Sequence, residues 1–117
     1  AFQLVDDLIG AFGTTAQTGR DTGPDLRENK RTPLVALARE SGAAPRVDEA
    51  LALARTGPVA VREAQVVLEE TGARQRLVRL IEETLSAVRA ASHDPALPDR
   101  AGALLRTLAD GIEGRIP

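Results

Sequence analysis

The chain has 117 residues, 43% hydrophobic and 27% charged, with a formal net charge of −2. That length fits one domain able to bury roughly two thirds of its unfolded surface, and the near-neutral charge provides no general attraction to nucleic acid or to an anionic membrane. Cysteine is absent, which excludes disulfides and thiolate metal sites, and no apolar run approaches the ~18 residues of a membrane span.

The first residues lie inside an apolar helical run with neither a methionine nor a capping residue ahead of it, so we expect a fragment whose preceding part is absent. Asp6 and Asp7 sit late in this run, which Gly10 and Gly13 are expected to end. Negative charge at that end opposes the helix dipole, and a bound cation would remove the penalty. On the residues alone two readings stand: a cation site, or two solvated acids at a fraying helix end.

Residues 10 to 31 read as a loop, punctuated by Gly10, Gly13, Gly19, Gly23 and Pro24. Connections beyond about 15 residues are uncommon unless functional or disordered. Over a metal-diphosphate site this one could act as a lid. Arg20 within it carries a guanidinium suited to phosphate oxygens, or is an exposed loop arginine. Lys30 is the only lysine among 15 basic residues. A sequence otherwise committed to arginine keeps a compact ammonium here, which favours a site needing a point charge over a bidentate fork.

Thr32 and Pro33 supply a cap and a first helical residue, and Ser41-Gly42 ends the helix they open. A short helix follows from Asp48 to Arg55. Pro58 to Glu70 reads as a helix with Val59, Val66, Val67 and the alanines between them on its core side, interrupted by Gly72. Leu77, Leu80, Ile81, Leu85 and Val88 then form the most regular apolar stripe in the chain. Residues 91 to 99 form a linker in which Ser92, His93 and Asp94 read as turn residues, since a catalytic triad requires spatial geometry and not adjacency. Pro98 to about Ile112 is the last helix, with Ala101, Leu104, Leu105, Leu108 and Ile112 on one face. No period-two alternation persists for a strand's length, so the fold class is all-α.

Phe2, Gln3, Asp6, Asp7, Gly19, Asp25, Leu26, Lys30 and Thr32 resemble, in order and near spacing, the second aspartate-rich motif of the trans-isoprenyl diphosphate synthases: Phe-Gln-x-x-Asp-Asp-x-x-Asp, a Gly-Lys loop, then Asp-Leu-x-x-x-Lys-x-Thr-x-Pro or close variants. Two positions depart from the pattern. Gly10 stands where the third aspartate is expected, as in some bacterial geranylgeranyl diphosphate synthases, and Arg20 replaces the loop lysine. With residue 10 lacking a carboxylate, Asp6 becomes the principal ligand and Asp7, about 100° around the helix, acts through water.

The resemblance implies that residues 1–117 form the C-terminal part of an isoprenoid-synthase helical bundle whose N-terminal half, with the first aspartate-rich motif, is absent. It implies a prenyltransferase that condenses an allylic diphosphate with isopentenyl diphosphate, aided by Mg2+ on Asp6 and Asp7. Arg20 and Lys30 contact the departing diphosphate, while Phe2 and Gln3 face the cavity. The intact enzyme is expected to be a cytoplasmic homodimer, and the fragment alone inactive. Two other readings remain: a non-catalytic partner subunit, to which Gly10 points, and an unrelated helical interaction module.

Overall fold

The computed structural model describes residues 1–14, 17 and 23–117. Among these no strand occurs, and the architecture is all-α. Helix α1 (Phe2–Phe12) buries Val5, Leu8 and Ile9. Gly10 does not end it: the helix continues through Gly10 to Phe12, and Gly13 follows it. The segment expected to be all loop also contains a short helix, α2 (Pro24–Arg27), opened by its proline.

Helix α3 (Pro33–Ala38) starts as its sequence dictates, with the Thr32 hydroxyl accepting from the Val35 amide at 3.4 Å. It runs into a wide helical turn over Arg39–Ala43, where Gly42 at φ 89° breaks the path, a conformation glycine adopts without strain. Helix α4 (Ala44–Ala54) begins a turn earlier than Asp48. Pro45 in its first turn is already set for the helix, and Asp48 pairs with Arg39 instead of capping.

Helix α5 (Pro58–Glu70) has the expected bounds and keeps Val67 and Ala64 of the expected inner face, but not the rest of it. Val61, Ala64, Val67 and Leu68 are buried, whereas Val59 and Val66 are exposed. Gly72 at φ 77° separates it from α6 (Ala73–Ala91), which buries Leu77, Ile81 and Leu85 and leaves Leu80 largely outside. In the turn that follows, Asp94 accepts from the Ala96 amide at 2.8 Å and the Ser92 hydroxyl donates to Arg89 O at 2.6 Å.

Helix α7 (Asp99–Glu113) is rotated from the expected face. Leu104 and Leu108 are 59% and 54% exposed, while Gly102 and Ala109 are buried. The cause is a close crossing: a Cβ on Gly102 would lie 2.3 Å from Ser92 O. The helix approaches α6 along its small residues, and the leucines on the opposite side turn outward.

The molecule is a slab of 53 × 31 × 17 Å with a radius of gyration of 16.4 Å, against ~13 Å for a compact domain of this length. One core runs through it, formed by Val5, Leu8, Leu34, Leu68, Leu77 and Ile81. No helix of the described residues is long and apolar enough to cross a membrane.

Candidate functional site

Three local structures converge on one face of α1. The first is α1 itself. Asp7 lies on its inward side and is only 3% exposed, flanked in the helix by buried Leu8. Its Oδ2 atom is buried and accepts no hydrogen bond, an arrangement that ordinarily destabilises by about 1–3 kcal/mol. Burial pushes the Asp7 carboxyl above its ordinary value of 3.8. The Lys30 charge and a hydrogen bond from the Gln3 side chain pull it down, and the negative charges of Asp25 and Asp6 add to the upward push. Gln3 is placed for this because it precedes Asp7 by one helical turn.

The second structure is the end of α2. The Asn29 amide donates to Leu26 O at 3.2 Å and the Lys30 amide to Asp25 O at 2.9 Å. Together they form a Schellman closure, which needs a residue in the left-handed region just past the helix. Asn29 fills it at φ 52°, and asparagine tolerates that region better than any β-branched residue. The closure sets Lys30 beside the helix it has just left, with Nζ 3.9 Å from Asp25 Oδ2.

The third is the contact between α2 and α1. A Cβ on Gly10 would lie 2.0 Å from Asp25 Oδ2 and 2.4 Å from its Cγ. The carboxylate of Asp25 thus fills the space that a side chain at residue 10 would take. The sequence places a glycine where an acid is expected; the fold brings an acid there from another element. No feature within α1 could have disclosed this, since the acid is fifteen residues further on.

Asp6 has a different environment. Arg115 Nη2 lies 3.1 Å from Asp6 Oδ1, and the same guanidinium stacks over the Phe2 ring at 4.8 Å. Phe2 is itself 54% exposed. Arg115 follows α7, more than one hundred residues from Asp6, and nothing in the local sequence marks it. Arg20 and Gly19 lie outside the described residues. His93 is exposed in the turn between α6 and α7, and Arg106 donates to the Ser92 hydroxyl at 3.2 Å, so these residues hold the turn together.

The donor set suits a hard divalent cation in part. A buried carboxylate oxygen without a partner is an available acceptor, and magnesium takes one or two protein carboxylates, completing its shell with waters and substrate phosphates. Among the described residues no group of three acids or histidines is placed to hold a metal ion.

Residues 1–71 match the sequence model of the family described as Polyprenyl synthetase. The matched span runs from α1 through α5 and includes Asp6, Asp7, Gly10, Asp25 and Lys30. No solved structure matches the chain.

Proposed function

This chain belongs to the polyprenyl synthetase family, and from that premise we propose that it supplies the second aspartate-rich half of a site that condenses an allylic diphosphate with isopentenyl diphosphate. The family supports prenyl transfer in general. The finer reading, a synthase similar to bacterial geranylgeranyl diphosphate synthases, rests on the residues of α1 and the α2 turn. The observation that carries it is the buried, unpartnered Oδ2 of Asp7 within the field of Lys30.

Magnesium, when bound, would neutralise charge on the allylic diphosphate as its carbon–oxygen bond ionises. Asp7 and Asp6 are the residues that would hold it. The burial of Asp7 favours it for direct contact, because its oxygen has no competing donor. Asp6 must first part from Arg115. Gln3 donates to Asp7 and so orients the carboxylate, the supporting role that fixes a ligand's geometry. Lys30 and Arg20 would bind the departing diphosphate as a point charge and a fork respectively. Phe2 and Gln3 would border the cavity where the isopentenyl double bond attacks the allylic carbon and a proton leaves.

The slab form of the molecule and its outward leucines on α7 support the further proposal that residues 1–117 are one portion of an isoprenoid-synthase domain whose other portion carries the first aspartate-rich motif. A homodimer in the cytoplasm is the corresponding reading for the intact enzyme. A non-catalytic partner subunit is the second reading, favoured by Gly10. A condensation assay separates the two: the chain is combined with its N-terminal counterpart, magnesium, farnesyl diphosphate and isopentenyl diphosphate. Product supports the enzyme; a folded, associated mixture without product supports the partner subunit.

A further inference from the structure

A cavity of about 520 Å3 opens between the turn after α2, helix α3 and the start of α4. Its walls include Lys30, Arg31 and Arg39, with Asp48 as the one acid, and Val35 and Leu51 on the apolar side. Phe2, Gln3, Asp6, Asp7 and Asp25 are not among its lining residues. It is thus a separate space that shares Lys30 and the turn residue Asn29 with the site described above.

Three cations against one carboxylate leave the lining with an excess of two positive charges. Arg39 is paired with Asp48, and Lys30 lies at 3.9 Å from Asp25. Arg31 is exposed, and its guanidinium makes no ion pair or hydrogen bond with another described residue. Like charges drawn into one concave wall repel each other, and the wall's shape concentrates their field within the cavity. A polyanion there would relieve the repulsion and engage guanidinium forks through charge-assisted hydrogen bonds. The volume lies within the ~300–1,000 Å3 of small-molecule sites, larger than a single phosphate requires.

We propose that this cavity is a second anion site, one that binds a diphosphate group through Arg31, Arg39 and Lys30 without a metal. The choice of diphosphate over other polyanions rests on the proposed prenyl transfer; the existence of the site does not. Two sources share this chemistry: the inorganic diphosphate released by condensation, and the head of a prenyl diphosphate whose chain lies against Val35 and Leu51.

The test is isothermal titration of the 117-residue chain with inorganic diphosphate in EDTA, with circular dichroism confirming that each variant is folded. Arg31→Gln and Arg39→Gln are each expected to weaken binding about tenfold or more, the loss of a hydrogen bond to a charged group. Arg62→Gln removes the same charge from an exposed position on α5 and is expected to leave binding unchanged. Because EDTA keeps any metal off Asp6 and Asp7, failure of this proposal is distinguishable from failure of the metal site. Absence of binding, or equal weakening by Arg62→Gln, overturns the proposal. Geranyl diphosphate distinguishes the sources: tighter binding than the inorganic ion, lost in Leu51→Ala, supports the site with a prenyl ligand, and equal binding supports it with the released diphosphate.

Discussion

The carboxylate of Asp25 occupies the space of a side chain at Gly10, with Oδ2 only 2.0 Å from where a Cβ would be. Alanine ordinarily improves a helix interior over glycine by about 1 kcal/mol. Here all three terminal atoms of Asp25 fall within 3.0 Å of the added carbon, so rotating the carboxylate does not clear it. Gly10→Ala is expected to lower stability by about 1 kcal/mol, displacement outweighing propensity. In an Asp25→Ala background the same change should stabilise, by up to about 1 kcal/mol. A urea double-mutant cycle reads the sign reversal; additive effects would show that the two positions are independent.

Asp7 gives stability a pH dependence of definite sign. Its folded-state carboxyl titrates above its ordinary value of 3.8, chiefly through burial. Below that value both folded and unfolded chains hold the proton, and nothing is lost. As pH rises from there through the folded value, the unfolded chain releases its proton first, so stability falls and then levels off. Asp7→Asn should therefore raise Tm at pH 7, and the gain should shrink to nothing as pH drops below the ordinary value. Thermal scans across that range check it, and a gain that persists in acid would assign the effect to packing.

Arg115 holds Asp6 at 3.1 Å. Both side chains are more than two fifths exposed, and such pairs contribute only about 0–1 kcal/mol. Arg115→Gln should accordingly leave stability almost unchanged. It should nonetheless tighten magnesium binding, since a cation no longer competes for Asp6. Magnesium titration by calorimetry measures this, and an unaltered or weaker affinity would remove Asp6 from the metal site.

The Lys30 amide closes the Schellman turn on Asp25 O, which fixes where its backbone leaves α2. Lys30→Arg preserves charge but replaces a compact ammonium with a wider fork. Turnover of the reassembled enzyme is expected to fall about tenfold, or ~1.4 kcal/mol of transition-state stabilisation. Unchanged turnover would mean that charge alone matters there.

The fold class and most helix positions were legible because they depend on local rules. Thr32-Pro33 opens a helix, Gly42 and Gly72 break one, and Leu77, Ile81 and Leu85 recur at helical spacing. The faces of α5 and α7 were less so. Val66 and Leu104 fit an apolar stripe, yet tight crossings at small residues such as Gly102 decide which side turns inward, and only the packed structure contains that information. Family membership was readable from the motif between Phe2 and Thr32. The paired roles of Asp25 with Gly10 and of Arg115 with Asp6 were not, because each joins elements distant along the chain. Membership also sets aside the reading of an unrelated interaction module.

The most direct measurement is transfer of labelled isopentenyl diphosphate onto farnesyl diphosphate by the chain combined with the proposed N-terminal portion, wild type beside Asp7→Asn. Product should form only with magnesium and should fall by about a hundredfold or more in the variant, on the scale of losing a preorganised charge-stabilising group. Equal product from Asp7→Asn, or formation that survives EDTA, would contradict the account.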